Sequence, residues 1–343
     1  MSDQSARDKL DSLTDLQFLY VTGKGGVGKS TIAAVLGLHA ARRGLRTLVV
    51  VPQTSHNTPS LFGHTLSTEP QTVTGNLSAV RVSPDEAMRE YCRQVLHSQT
   101  LTNALFHPKV AGGFLAGIPG LTDWALLGKS WAWTRSGTFA LPKNQQRYDL
   151  VIFDAPASGD GTKMLKVPQV ILDLSPQGRL RDDAAACLQM LGDPKRSSVL
   201  LVTLAEDFAI TETEENLLLL AELKLPVGPI LVNRVLEPRL RREDIPLLHQ
   251  LTAQLSSSAP TEQDRDALAL VRAGLRYAGR WDAQQKQLAR LRSRPGSDIE
   301  IPEIIDDFDK LPALSQLLDR IITPKSRIGA NPHRASYRAR TDG

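Results

Sequence analysis

Gly23-Lys24-Gly25-Gly26-Val27-Gly28-Lys29-Ser30 is preceded by the short apolar run Gln17-Phe18-Leu19-Tyr20-Val21-Thr22 and followed at once by Thr31. The octet satisfies G-x-x-x-x-G-K-[ST], with a second lysine directly after the first glycine. The run before it has strand character. Residues 31–43 are rich in alanine and leucine and stop at Gly44, which predicts a helix ended by glycine. Strand, glycine loop and helix, in that order, form the setting this pattern requires. The plainer alternative, a glycine-rich turn before an ordinary helix, does not account for a complete pattern with both flanks in place.

The residue types name a ligand. Glycines allow several main-chain N–H groups to converge on one anion, and a helix N-terminus adds partial positive charge. Gly23, Lys24, Gly25, Gly26, Val27 and Gly28 are therefore expected to cradle phosphates. Lys29 is expected to reach the β- and γ-phosphates, Ser30 to hold magnesium, and Thr31 to contact the α-phosphate.

The chain has 343 residues, enough for one large domain or a domain with an insert. No run approaches the length of a membrane-spanning helix. The N-terminal residues are polar, without the apolar stretch of a signal peptide. Cys92 and Cys187 are far apart, with no metal-ligand spacing. Together these lead to the expectation of a reduced, soluble, cytoplasmic protein. The formal net charge of +4 sits wholly in residues 324–343, where Lys325, Arg327, Arg334, Arg338 and Arg340 face the single acid Asp342. The remainder is neutral overall, which argues against a broad nucleic-acid surface.

Candidate strands recur at residues 18–22, 46–51, 77–82, 150–154, 199–204 and 229–233. Several are continuous apolar runs, as in parallel strands covered on both faces. Alternation with helices predicts a doubly wound α/β sheet. Ser83-Pro84-Asp85-Glu86 signals a helix start, and Met88, Tyr91, Cys92, Val95 and Leu96 follow at helical spacing as core positions. Thr211 with Glu214 is read as opening another helix, and a long helix covers residues 261–294. The expected layout is a flexible lead-in over 1–15, one phosphate-loop α/β domain over 16–323, a helical insert at about 83–146, and a disordered basic tail over 324–343. Within the insert, residues 100–146 hold Trp124, Trp131 and Trp133, with Phe114 and Phe139 nearby. They read either as a small helical cap with its own core or as an apolar partner-binding surface.

Tyr148-Asp149-Leu150-Val151-Ile152-Phe153-Asp154 is an apolar strand ending in an acid that can hold magnesium beside the phosphate loop. It continues Ala155-Pro156-Ala157-Ser158-Gly159-Asp160-Gly161, with Met164-Leu165 and Pro168 beyond. This stretch resembles the second switch of the ArsA-like ATPases, the family of the arsenite-pump ATPase and of the ATPase that targets tail-anchored membrane proteins. Lys24 stands where that family, with its ParA and MinD relatives, has its signature lysine. Further similar stretches are Pro119-Gly120-Leu121-Thr122-Asp123, Val202-Thr203-Leu204-Ala205-Glu206 and Val232-Asn233-Arg234-Val235.

The resemblance runs from about residue 16 to residue 320. It implies the deviant phosphate-loop fold, a homodimer, ATP and Mg2+ as ligands, Asn233 as reader of the adenine ring, and Lys24 acting in trans on the partner's phosphates. In trans, that cation would spread the charge developing on the transferred phosphoryl.

One departure stands out. The family's first switch carries an aspartate that orients or deprotonates water, and Val51-Pro52-Gln53-Thr54-Ser55-His56 here offers Gln53 at that place; a second registration offers Val51. Gln53 can orient water but cannot usefully take a proton, so slow hydrolysis is expected. The two distant cysteines do not match the arsenite pump's cysteine cluster or the Cys-x-x-Cys clasp of the eukaryotic targeting ATPases. The leading expectation is an ATP-driven dimeric switch that meets a protein partner through the insert. A catalytically silent nucleotide-binding scaffold, and a ParA- or MinD-like organiser on DNA or membrane, are the alternatives.

Overall fold

The computed structural model describes residues 4–53, 61–63, 65–96, 120–135, 141, 146–156, 158–256, 261–293, 298–302 and 311–322. The strands are β1 (Phe18–Thr22), β2 (Thr47–Pro52), β3 (Gln71–Thr74), β4 (Leu77–Val82), β5 (Leu150–Asp154), β6 (Ser197–Leu204), β7 (Ile230–Val235) and β8 (Asp298–Pro302). They form one sheet in the order β3-β4-β2-β5-β1-β6-β7-β8, parallel except for the edge strand β3. The described helices are α1 (Gln4–Thr14), α2 (Lys29–Arg42), α3 (Pro84–Leu96), α4 (Leu121–Ala132), α5 (Ser158–Met164), α6 (Val167–Leu174), α7 (Arg179–Leu191), α8 (Asp207–Glu222), α9 (Ile245–Ser256), α10 (Glu262–Arg292) and α11 (Leu311–Ile322).

Every residue of β1, β2 and β5 is buried, which is why these runs are continuously apolar. One face of the sheet packs Phe18, Tyr20, Val50 and Phe153 against α4, α6 and α7. The other packs Leu19, Val21, Val49 and Ile152 against α1, α2 and α11. In the parallel register Val21 lies opposite Asp154, so the end of β5 stands level with the start of the glycine loop. The loops after β1, β5, β6 and β7 therefore meet at the carboxyl edge of the sheet, the place where such sheets bind ligands.

Several expectations require correction. Residues 4–14 form helix α1 rather than a free lead-in, because Leu10 and Leu13 are buried against the sheet's second layer. Helix α8 begins at Asp207, not Thr211. The Thr211 hydroxyl donates to the Asp207 carbonyl one turn back, and Glu214 pairs with Arg290 on α10. Trp124, Trp131 and Trp133 are at most 1% exposed and belong to the main core beneath the sheet. They form neither a separate core nor an exposed surface. The sequence segment looked like an excursion because its apolar residues follow no strand; α4 instead covers the sheet, against β5 and α6. Phe114, Phe139 and the tail at 324–343 lie outside the described residues.

The long helix is borne out as α10, started by a capping box in which Thr261 and Asp264 satisfy each other's main-chain N–H groups. Strands β3 and β8 were not foreseen. Both are short, β3 alternates between half-buried and exposed, and neither carries a continuous apolar run.

Candidate functional site

The glycine loop leaves β1 at Gly23. A Cβ there would lie 2.1 Å from the Val202 carbonyl oxygen, and its φ is 143°, so a side chain is excluded on both counts. Gly28 caps α2 in the left-handed region, at φ 94°. A Cβ at Gly28 would meet the Asn233 amide nitrogen at 2.4 Å. The first N–H groups of α2, from Lys29 onward, have no acceptor within the helix and open onto the loop.

Lys29 curls over this loop. Its Nζ donates to the carbonyls of Gly23, at 2.9 Å, and Lys24, at 3.0 Å. Burial lowers its pKa below the usual lysine range, while the charges of Asp154 and Glu212 pull it partly back. Ser30 donates from its hydroxyl to Asp154 Oδ2 at 2.5 Å. Asp154 is 1% exposed at the tip of β5. The hydroxyl and the carboxylate are hard oxygen donors held side by side, a set that suits Mg2+. Among the described residues no group of three or more His, Cys, Asp or Glu is placed to hold a metal. Magnesium at Ser30 and Asp154 would thus need phosphate oxygens and water to complete its shell.

Asn233 is buried at the end of β7, beside the loop. Its amide nitrogen donates to the Val27 carbonyl, at 2.9 Å, and its Oδ1 accepts from the Arg234 N–H, at 2.9 Å. Arg234 follows with a φ of 55°, unusual outside glycine. Gln284 on α10 secures this corner by donating to the Arg234 carbonyl and accepting from the Leu236 N–H.

Gln53 stands just past β2. Its N–H donates to Val82 and its carbonyl accepts from Arg81, so the backbone is tied down while the residue is exposed. His56 lies outside the described residues. Thr31 and the loop residues Lys24, Gly25, Gly26 and Val27 fall where the motif requires, in and directly after the turn between β1 and α2.

Beyond Asp154, where β5 ends, comes α5, which is anchored at two points. The Tyr20 hydroxyl donates to the Gly161 carbonyl at 2.6 Å, and the Thr162 hydroxyl donates to Asn216 Oδ1 at 2.9 Å. Gly120 caps α4 beside it in the left-handed region, packed on Val167.

Comparison with known proteins agrees with this arrangement. A family model described as anion-transporting ATPase matches residues 16–175 and 178–253. The chain belongs to the anion-transporting ATPase family. Among relatives of this family, ATPase BagA of Mycobacterium tuberculosis is 30% identical over 275 residues, covering 78% of this chain and 75% of that protein. An arsenical pump-driving ATPase of Acidiphilium multivorum is 27% identical over 290 residues, 75% of this chain and 44% of the relative. An ATPase ASNA1 homolog of Entamoeba dispar is 30% identical over 167 residues, 46% of this chain and 48% of the relative. The matched region contains the glycine loop, Asp154 and Asn233.

Two neighbours of the anion-transporting ATPase loop have no motif that marks them in the sequence. The Lys24 ammonium lies 3.7 Å from the centroid of the Phe208 ring. Glu212, one turn further along α8, is close enough to favour the charged form of Lys29. The only signal for either was the nearby Ala205-Glu206, which matches the family but does not single out an aromatic or an acid within α8.

Proposed function

We propose that this chain is an ATP-binding, ATP-hydrolysing switch that works as a homodimer in the cytoplasm and couples its nucleotide state to a protein partner. The observation that carries the reading is the pairing of Ser30 with Asp154 at the mouth of a complete phosphate loop. Main-chain amides of residues 23–31 would wrap the phosphates, and Lys29 would exchange its two loop carbonyls for phosphate oxygens. Bound magnesium would neutralise charge on the phosphate oxygens during transfer. Ser30 and Asp154 would hold it. Lys24 would reach the phosphates of a second copy, and Gln53 would orient the attacking water.

Asn233 retains one amide hydrogen and one oxygen lone pair beyond its present bonds, enough to read the adenine edge. With Trp124, Trp131 and Trp133 in the core, a protein partner would have to meet other residues of the 83–146 region.

Magnesium-ATP turnover measured together with particle size, on wild type and Lys24→Ala, tests this reading. The wild type should assemble with nucleotide and release phosphate in a concentration-dependent way; Lys24→Ala should bind ATP without doing either. Turnover by a monomer, indifferent to Lys24, would reject it.

One observation favours a second reading. Gln53 supplies no base, which suits a silent nucleotide-binding scaffold. That reading requires ATP binding with no phosphate release above a Lys29→Ala control.

A further inference from the structure

Phe208 is the second residue of α8, preceded by Glu206 and Asp207, and 70% exposed. A ring left so open adds little to the core of its own chain. Its close contact is with Lys24, whose Nζ stands 3.7 Å from the ring centroid. That is well inside the range at which an aromatic face attracts a cation.

The helix that carries the ring is firmly seated. Phe208, Glu212 and Asn216 recur at four-residue spacing and so share one face of α8. Asn216 is buried, accepts from Thr162 on α5 at 2.9 Å, and donates to the Glu212 carbonyl at 2.8 Å. Leu220, one turn further, is fully buried. From the other side Arg290 bonds to Glu214 at 2.6 Å and to Asp207 at 3.1 Å. The ring is therefore presented by a fixed support, whereas Lys24 sits among glycines.

We infer that Phe208 is a positioning residue for Lys24: its ring holds the ammonium within its own subunit until the triphosphate of a second copy offers a stronger partner. This rests on the dimeric reading above. The hold is weak by design of its chemistry. A cation over a partly exposed ring shifts an equilibrium by about two- to five-fold, which a charged phosphate overcomes.

Two measurements on the full chain test it. The first is the rate at which an acylating reagent labels Lys24 in nucleotide-free protein, read by peptide mass spectrometry. The second is the protein concentration that gives half-maximal magnesium-ATP turnover. Phe208→Ala and Phe208→Leu should speed Lys24 labelling about two- to five-fold and lower the half-maximal concentration by a similar factor. Phe208→Tyr, which keeps an aromatic face, should restore both to wild-type values.

Equal labelling in wild type and Phe208→Leu overturns the inference. Faster labelling with an unchanged concentration dependence overturns the positioning role. Absence of turnover in every protein at every concentration rejects the ATPase reading instead, and the labelling arm still decides whether the ring holds Lys24.

Discussion

The hydroxyl of Ser30 and the carboxylate of Asp154, 124 positions apart in the chain, share a 2.5 Å hydrogen bond at the carboxyl edge of the sheet. The parallel register of β1 with β5 brings them there.

Asp154→Asn keeps the size of the side chain and removes its charge. Magnesium affinity in the presence of ATP should fall about 10–100-fold, as when a metal's supporting shell is altered. ATP binding measured without magnesium should persist. Titration of magnesium into the ATP-bound variant, followed by calorimetry, checks both.

In the proposed mechanism Gln53 takes the place of a water-orienting acid, with its backbone fixed by Val82 and Arg81. Gln53→Asp should raise phosphate release by about 10²-fold or more, the scale of a positioned general base. Gln53→Ala should lower it below wild type. Single-turnover phosphate release reads the difference, and a fast wild type that ignores both substitutions would contradict the role.

Lys29 is pushed below the ordinary lysine value of 10.5, chiefly by burial. A bound triphosphate favours the ammonium and raises the value again. Between the two values binding takes up a proton, so affinity is fully present below the lowered value and declines as pH rises through it. Calorimetric titrations of ATP in buffers of different ionisation enthalpy, over the alkaline range below 10.5, should show proton uptake by wild type. Lys24→Ala should show it as well.

Asn233 serves the loop as well as any ligand, because its amide closes on the Val27 carbonyl. Asn233→Ala leaves that buried carbonyl without its partner and should cost about 1–3 kcal/mol of stability, measured by urea unfolding. Gly28→Ala combines a positive φ with a Cβ 2.4 Å from Asn233. It should abolish ATP binding while the far-ultraviolet circular dichroism stays that of the wild type.

Trp124 is fully buried between α4 and the sheet. Trp124→Ala should destabilise the fold by about 3–5 kcal/mol. A loss of partner binding with unchanged stability would contradict its place in the core.

The centre of the sheet was legible because its strands are buried on both faces and read as unbroken apolar runs. Residues 150–154 show this, since β5 is buried throughout and begins and ends where the sequence says; β4 does so as well, although Ser78 and Arg81 interrupt its apolar run. The loop and Asp154 were legible because their chemistry fixes both residue type and spacing. What escaped was set by tertiary contact. The tryptophans' destination depends on α4 folding under the sheet, and β3 at the sheet edge has too few buried residues to announce itself. Phe208 meets Lys24 only because β1 and β6 are neighbours, and no local pattern encodes that adjacency.

The most direct measurement is calorimetric titration of magnesium-ATP into the purified full chain and into Lys29→Ala. One saturable site per protomer in wild type, lost in Lys29→Ala, is the expected result. Wild-type protein that shows no affinity for ATP or ADP, with or without magnesium, would contradict the assignment of residues 23–31 as a triphosphate cradle.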